Sequence, residues 1–479
     1  MIYKFFFSSN KFRLFIRNLC FFSFMLSSFF TINAFSEVVW QLPPEQRSPS
    51  ALDSTDQVIV TDATGANVAI IWRGGNTAVQ AAISNDFGVN WTSPFNLSAA
   101  AGSFTNAEDI TMSKSGQYIY GIWPRNAAGV LQIELSRSID FGVSWTPIGS
   151  VKVLSDTSSA GVQSHVATDS SGQFVYAIWQ QVVGADNIIT TSRSTDFGAN
   201  WTLPGSAIAL SAAGEDASGS EITTNGSGQY VFAIWKRVDG GAAKTRIQTS
   251  RSVDFGASWT PVGSVITLSA DDQNATNQRI MTSTSGKYVY AVWEKIIDGS
   301  NTNIQFARST DFGATFSSTV NIVSSIGKAT KPEIAIDDTG QYVYLVYRVD
   351  TGGRILLSRS TDFGATFSSP ITVSSGSSNN NPAITTDKTG KNVYVIWSST
   401  GSAKDASSSS DFGQTFSAPE TLTGSSESFI DASITTDSSG RYVYAAFDIA
   451  DPSFSVIIHS IRALDQLLLT TPIIRVFRE

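Results

Sequence analysis

The chain has 479 residues, of which 42% are hydrophobic, 11% aromatic and only 15% charged. That is ample apolar material for a large packed domain, and it excludes a mostly disordered protein. The formal net charge is −8 and becomes −12 without residues 1–36, which carry four cations and no anion. An acidic surface makes nucleic acid and anionic lipid poor partners.

The first 36 residues are predicted to be a secretory signal peptide. A basic segment (1–18) precedes the apolar run "LCFFSFMLSSFF", and Ala34 and Ser36 are small residues suited to a cleavage site. An uncleaved membrane anchor is the alternative, although this run is short for a membrane span. Cys20 is the only cysteine, so disulfides cannot stabilise the mature chain. We therefore expect a secreted or extracytoplasmic protein, in the periplasm or at the cell surface, with no membrane span after signal removal.

Two short motifs alternate along the rest of the chain. A strand–turn–strand motif such as "ATDSSGQFVYAIWQ" (167–180) occurs eight times, with Ser-Gly or Thr-Gly at every turn. Between these copies lies the pattern Ser-x-Asp-x-Gly-x-x-Trp/Phe. Its seven aspartates are Asp86, Asp140, Asp196, Asp254, Asp311, Asp362 and Asp411. A period near fifty residues indicates one repeated supersecondary unit and is typical of a four-stranded propeller blade.

Each unit is predicted to contain an inner, a second, a third and an outer strand. The eight strand–turn–strand copies favour eight blades, and the seven boxes leave seven blades as the alternative. The last unit lacks an outer strand, which the apolar segment "EVVWQL" (37–42) can supply, because an unpaired last blade leaves an open edge. We therefore predict an all-β propeller of antiparallel blades over residues 37–460, followed by a C-terminal tail (461–479).

The motif Ser-x-Asp-x-Gly-x-x-Trp resembles the Asp-box, or bacterial neuraminidase repeat, of the sialidase-like propellers. The resemblance covers residues from about 55 to 450. It implies a β-propeller but no particular activity, because such boxes also occur in propellers with other enzymatic roles or none. The family's Arg-Ile-Pro signature is absent from this sequence.

We interpret the seven boxes as structural. The Asp carboxylate can accept hydrogen bonds from backbone N–H groups of its own turn, the Gly permits a positive φ, and the aromatic residue anchors the turn. Each Asp belongs to a different blade, so the seven carboxylates cannot converge on one substrate. Five arginines that precede boxes likewise belong to different blades and cannot converge on one substrate, and we predict stacking or surface ion pairs for them. They are Arg137, Arg193, Arg251, Arg308 and Arg359.

Candidate ligand-binding residues lie on the opposite face, where the loops differ most between repeats. Seven residues before the turn glycine, five successive units carry an ionisable side chain. These residues are Asp109, His165, Glu221, Arg279 and Glu333. The register places them around the mouth of the central channel, either as a polar ligand site or as solvated strand starts. A lone histidine is not a metal site, and the sequence indicates neither a metal nor a cofactor.

Three functions are compatible with the sequence. The first is a secreted propeller that recognises a glycan or a protein. The second is an exo-sialidase or another glycoside hydrolase, in which Glu221 and Glu333 would be the carboxylate pair and Tyr347 the one tyrosine in a repeated tryptophan position. The third is a structural envelope protein. Candidate binders of a substrate carboxylate are Arg73, Arg125, Arg237, Arg279 and Arg348.

Overall fold

A computed structural model describes residues 38–465, apart from 43, 49–53, 76–77, 100–107, 128, 203–205, 240–243, 271–273, 299–300, 324–326, 375–377, 400–402, 424–431 and 451–455. The predicted signal peptide lies outside the described residues. Within them the secondary structure consists of strands, turns and two single-turn 3-10 helices, Ile148–Ser150 and Val262–Ser264. None of the helices in this part of the chain has the length and apolar character needed to cross a membrane.

The described strands form seven four-stranded antiparallel sheets and an eighth sheet of five strands. The first two strands, β1 (Val38–Trp40) and β2 (Glu45–Gln46), belong to the last sheet. Blade 1 contains β3 (Ser54–Thr61), β4 (Val68–Gly74), β5 (Ala78–Ser84) and β6 (Phe95–Asn96). Blade 2 contains β7 (Asp109–Met112), β8 (Ile119–Ala127), β9 (Val130–Ser138) and β10 (Lys152–Val153). Blade 3 contains β11 (Gly161–Thr168), β12 (Val175–Val183), β13 (Asp186–Ser194) and β14 (Ile208–Ala209).

The remaining blades repeat this arrangement. Blade 4 contains β15 (Ala217–Thr224), β16 (Val231–Asp239), β17 (Lys244–Ser252) and β18 (Ile266–Thr267). Blade 5 contains β19 (Asn274–Thr282), β20 (Val289–Ile296), β21 (Thr302–Ser309) and β22 (Val320–Asn321). Blade 6 contains β23 (Ala329–Ile336), β24 (Val343–Val349), β25 (Arg354–Ser360) and β26 (Ile371–Thr372). Blade 7 contains β27 (Asn380–Thr386), β28 (Val393–Ser398), β29 (Lys404–Ser409) and β30 (Glu420–Thr421). Blade 8 contains β31 (Ala432–Thr436), β32 (Tyr442–Ala450) and β33 (Val456–Asp465), with β1 as its outer strand.

The inner strands surround a central channel. Each inner strand contacts the inner strand of the next blade, and β31 contacts β3, so the ring is closed. The all-β propeller of four-stranded antiparallel blades predicted from the repeats is thereby confirmed. The described sheets number eight in total, in agreement with the eight strand–turn–strand copies.

A ring of backbone hydrogen bonds joins the turns around the channel. The N–H of Ala63 donates to the carbonyl of Lys114 at 3.0 Å, and the same bond repeats from blade to blade until Ser438 donates back to Ala63 at 3.0 Å. The ring has one member in each blade: Ala63, Lys114, Ser170, Gly226, Thr284, Asp338, Lys388 and Ser438. Because every member both donates and accepts, no blade can be displaced without breaking two of these bonds.

The second strands form the core between blades. They are rich in β-branched and aromatic residues, as expected for strands buried on both faces. Each carries a large aromatic side chain, and all eight are fully buried, which excludes them from stacking on a ligand. They are Trp72, Trp123, Trp179, Trp235, Trp293, Tyr347, Trp397 and Phe447. Six tyrosines of these strands also donate their hydroxyl group to the turn glycine carbonyl of the next blade. They are Tyr120, Tyr176, Tyr290, Tyr344, Tyr394 and Tyr444.

The last blade is completed by the segment that follows the predicted signal peptide. Strand β1 pairs antiparallel with β33, with Val38 opposite Asp465, and Trp40 is only 7% exposed within the hydrophobic cluster of blades 7 and 8. The predicted domain boundary at residue 460 falls inside β33. That strand continues to Asp465 because residues 461–464 pair with β32.

Candidate functional site

The boxes form tight turns between the third and outer strands. In the third box the Asp196 carboxylate accepts bonds from the Ser194 hydroxyl at 2.8 Å, from the Asn200 N–H at 2.9 Å and from the Asn200 amide at 2.7 Å. Slight burial acts against ionisation, but the bonds from Asn200 and Ser194 hold the pKa of Asp196 below its ordinary value. The other six box aspartates accept equivalent bonds, each within its own blade.

Each box also joins two blades. The box phenylalanine has a positive φ in all seven copies, 59° in Phe197, which the sequence did not predict. Its ring stacks on Tyr118 of the preceding blade with centroids 4.5 Å apart, and its carbonyl accepts a hydrogen bond from Arg137. The equivalent bond is present for the other four arginines that precede boxes, so they donate to carbonyls between blades instead of stacking or forming surface ion pairs.

The five candidate ligand-binding residues lie on consecutive inner strands and form two groups of contacting side chains. In the first group, His165 Nδ1 lies 3.3 Å from Asp109 Oδ2, which also accepts the Val166 N–H at 3.0 Å. The imidazole side chain is 39% exposed, yet enough protein lies around it for burial to affect its pKa. Burial acts to lower the pKa of His165, but the bond to Asp109 and the nearby charge of Glu221 outweigh it and raise that pKa above its ordinary value.

In the second group, Arg279 bridges two carboxylates. Its Nε lies 3.0 and 2.9 Å from the two Glu333 oxygens, and one terminal nitrogen lies 2.7 Å from Glu333 Oε1. The other terminal nitrogen donates to Glu221 Oε1 at 2.8 Å and to the Gln278 carbonyl at 3.1 Å. Glu333 and then Glu221 raise the pKa of Arg279, while burial raises the pKa of Glu221.

These polar residues occupy only part of the ring. The same register holds Val58 in blade 1, Ala383 in blade 7 and Ser433 in blade 8, and the Ser433 hydroxyl accepts the Ile59 N–H at 3.3 Å. One side of the channel is therefore lined by three carboxylates, one guanidinium and one imidazole, and the other side by small or apolar residues.

A cavity of about 490 Å³ opens at one mouth of the channel, where the inner strands begin. This end carries the variable loops and is called the loop side. The cavity is lined by blades 5 to 8, including Arg279 and Glu333 of the predicted set. Three further lining residues, Asn277, Lys331 and Asn381, were missed by sequence reasoning. A smaller cavity of 190 Å³ lies at the opposite, turn-side end of the channel.

The missed residues occupy β-bulges. Six inner strands shift register just before the position that holds the candidate ligand-binding residues. In each of these strands one residue at the shift has a positive φ, between 45° and 61°. These residues are Asp56, Gln163, Gly219, Asn277, Lys331 and Asn381. The left-handed conformation costs a non-glycine residue roughly 1–2 kcal/mol. The sequence did contain a signal for the bulges: when the repeats are aligned, four of these six residues are Asn, Asp or Gly, which favour a left-handed backbone.

Side chains at the bulges link neighbouring blades around the mouth. The Gln163 amide oxygen accepts the Gly219 N–H at 3.0 Å, and Gln278 donates to the Gly219 carbonyl. The Asn277 amide donates to Glu294 at 2.7 Å within blade 5, and Lys331 Nζ donates to Asn381 Oδ1. These bonds join blades 3, 4 and 5 and also blades 6 and 7, and of the bulge residues Asn277, Lys331 and Asn381 line the cavity.

The other candidate arginines are each paired with an acid of their own blade. Arg73 lies 2.9 Å from Asp56, and Arg125 Nε donates to Glu134 at 2.8 Å. Arg237 pairs with Glu215 and Arg348 with Asp350. These four arginines belong to blades 1, 2, 4 and 6, so each is engaged by an acid of a different blade.

Tyr347 is not accessible to a ligand. Its side chain is fully buried, its hydroxyl lies 2.9 Å from the Ser358 hydroxyl, and burial raises its pKa to about 12. Among the described residues no group of three or more His, Cys, Asp or Glu side chains is placed to hold a metal ion.

No protein-family model and no curated protein matches the sequence. Similar solved structures include a polysaccharide lyase of family PL25, an ulvan lyase bound to -[GlcA(1-4)Rha3S]-, with a TM-score of 0.50 and 11% identity over 76% of this chain and 92% of that chain. A leech intramolecular trans-sialidase has a TM-score of 0.41 and 10% identity over 88% of this chain and 93% of that chain. Identities this low establish the fold alone. The chain is a β-propeller built of four-stranded antiparallel blades.

Proposed function

We propose that this propeller is a secreted recognition module that binds a glycan in the loop-side cavity of its channel. The observation that carries the proposal is the 490 Å³ cavity with strained bulge residues at its rim. Residues held in sparsely populated backbone conformations cluster at binding and catalytic sites. The boxes and the turns of the strand–turn–strand motif hold the blades together. The loops on the face that carries the cavity are where the repeats differ.

The lining has the chemistry that sugar recognition needs. Asn277 and Asn381 carry amides that both donate and accept hydrogen bonds, and Ser433 adds a hydroxyl group. Pro332 and Ile384 supply apolar surface for the C–H faces of a sugar ring. The fold shared with an ulvan lyase, described as a polysaccharide lyase, supports the choice of a glycan over a protein ligand.

A glycoside hydrolase is the second candidate. Burial raises the pKa of Glu221, which is the property a general acid needs, and Glu333 would be its partner. Against this role, both carboxylates are bonded to Arg279, and the tyrosine candidate Tyr347 is buried. A fluorogenic sialoside and a panel of aryl glycosides, each incubated with residues 37–479, test for turnover.

The recognition proposal is tested by screening residues 37–479 on a glycan array and measuring each hit by calorimetry. Asn277→Gly and Asn381→Gly remove lining side chains while keeping the left-handed backbone. Gln163→Gly is the matched control, because Gln163 occupies the same bulge position but does not line the cavity. We expect at least a tenfold loss of affinity, about 1.4 kcal/mol, in the two asparagine variants only. Equal effects in all three variants, or no hit on the array, would refute the proposal.

A further inference from the structure

We infer that residues 466–479, which follow the last strand of the propeller, bind across the first and second boxes (84–91 and 138–145), on the face of the ring that carries the boxes. These fourteen residues lie outside the described part of the chain. Three observations carry the inference: the exposed apolar side chains of the two boxes, the place where β33 ends, and the apolar sequence of the segment.

Exposed apolar side chains are concentrated in blades 1 and 2. Among the described residues, six of the twelve exposed large hydrophobic side chains belong to these two of the eight blades, so they are not evenly scattered. Single exposed hydrophobic residues are ordinary on a protein surface, whereas a group of them marks an interaction surface. Five belong to the two boxes and the sixth follows the second box. They are Phe87, Val89, Ile139, Phe141, Val143 and Ile148.

The box turn does not require these large side chains. The residue after the box glycine is valine in blades 1 and 2, alanine in blades 3 to 6 and glutamine in blade 7. Val89 is 51% and Val143 75% exposed. All seven boxes nevertheless form the same turn, with the same backbone bond to the aspartate and the same positive φ at the phenylalanine. The two valines therefore serve a partner of the box and not the turn itself.

The last strand ends beside this surface. In β33 the backbone of Arg462 lies opposite that of Tyr444, in the register that the residue before a box has in blade 2. The segment from residue 466 therefore leaves blade 8 where the other blades have a box turn. The first box packs directly on blade 8, because the Phe87 ring lies 4.7 Å from the ring of Tyr442.

The segment has the composition and the length to cover both boxes. It reads "QLLLTTPIIRVFRE", in which seven of fourteen side chains are large and apolar, so binding removes apolar surface of both partners from water. Fully extended it spans at most about 46–50 Å. Sheets that pack face to face are about 10 Å apart, so the boxes one and two blades away are within reach. Its net charge is +1, opposite in sign to the −12 of residues 37–479.

The first test uses the absence of cysteine from residues 37–479. Val143→Cys is combined with Ile474→Cys, and the matched control combines Ala365→Cys with the same Ile474→Cys. Ala365 has the same box position in blade 6, which is two blades from blade 8 in the opposite direction. We expect the disulfide within one molecule to form at least about tenfold faster in the Val143 pair, because a bound segment holds its thiol at a high effective concentration.

Equal rates of disulfide formation in the two pairs would overturn the inference. Disulfides formed mainly between molecules, with dimers detected by sedimentation, would overturn it as well and would assign the apolar boxes to a second copy of the chain.

Removing the apolar side chains supplies an independent readout. The Val89→Ala, Val143→Ala double variant gives blades 1 and 2 the box residue of blades 3 to 6, so it should fold normally. We expect trypsin to cut after Arg475 at least about fivefold faster in this variant, since cleavage follows the population of the unbound segment. Val320→Ala, at an exposed valine of blade 5, is the control and should leave the rate unchanged. An unchanged rate in the double variant contradicts the inference.

Discussion

Lys114 and Asp338 form an ion pair across the axis of the propeller, with Nζ 3.2 Å from Oδ2. The two residues are 224 positions apart in sequence and belong to blades 2 and 6, which lie opposite each other in the ring of eight sheets. Both are also members of the backbone hydrogen-bond ring, so the pair spans the turn-side end of the channel. The pair therefore crosses the channel at the end opposite the loop-side cavity.

The Lys114–Asp338 pair should contribute little to stability, because both side chains are more than 40% exposed and such pairs are screened by water and salt. A double-mutant cycle with Lys114→Gln and Asp338→Asn should give a coupling free energy of about 0.2–1 kcal/mol in chemical denaturation. A coupling well above this range would mean that the pair is a structural clamp.

Removing a box aspartate should destabilise the propeller without removing ligand binding. Asp196→Ala deletes an acceptor of three hydrogen bonds, so we expect a loss of about 1–3 kcal/mol in unfolding free energy. Thr195→Ala is the control, because this residue of the same box varies between the repeats. Loss of glycan binding at an unchanged melting temperature would contradict the structural interpretation of the boxes.

A lysine in the core of blade 7 should be replaceable with a gain in stability. Lys404 is fully buried and donates to the Ser398 hydroxyl at 2.8 Å. The equivalent position, seven residues before the box aspartate, is a fully buried Val or Ile in the six other blades that have a box. These are Val79, Ile133, Ile189, Ile247, Ile304 and Ile355.

Lys404→Ile should therefore raise the unfolding free energy by about 1–3 kcal/mol, because a buried charge is costly even when it is bonded. The reverse change at an equivalent site, Ile355→Lys, is the matched control and should destabilise the fold. Destabilisation by Lys404→Ile, measured by chemical denaturation, would indicate that the ammonium group is required by its surroundings.

The stability contributed by His165 should depend on pH near neutrality. Its pKa is raised in the folded state by Asp109 and Glu221, with Arg279 acting in the opposite direction. The contribution is therefore fully present below the ordinary histidine pKa near 6.5 and is lost as the pH rises through the higher folded value. His165→Asn should abolish this part of the pH dependence of the melting temperature.

The same prediction has a direct spectroscopic check. The chain has two histidines, so His165→Asn identifies by difference which NMR titration belongs to His165. A folded-state pKa at or below 6.5 would contradict the prediction, and Asp109→Asn should lower the measured value.

The repeated positions made the fold predictable, whereas the candidate site depends on contacts that repeats do not encode. A strand with Val, Tyr, Ile and Trp at every unit can be recognised without knowing its neighbours. The pairing of Arg279 with Glu333 requires two adjacent inner strands and the rotamers of two long side chains, so the sequence indicated a shared ring position but not the saturation of the guanidinium. The bulges were missed because Gln163 and Lys331 have no intrinsic preference for a left-handed backbone.

The pairing of β1 with β33 in blade 8 determines where the chain enters and leaves the propeller. Val38 lies opposite Asp465, and β33 runs toward the side of the boxes, so both ends leave the propeller together on that side. A fusion partner, an affinity tag or a surface tether joined at either end would sit away from the loop-side cavity. Immobilisation through the ends should consequently present the cavity to solution, and a short peptide joining these ends would allow new ends to be opened in a loop between other blades.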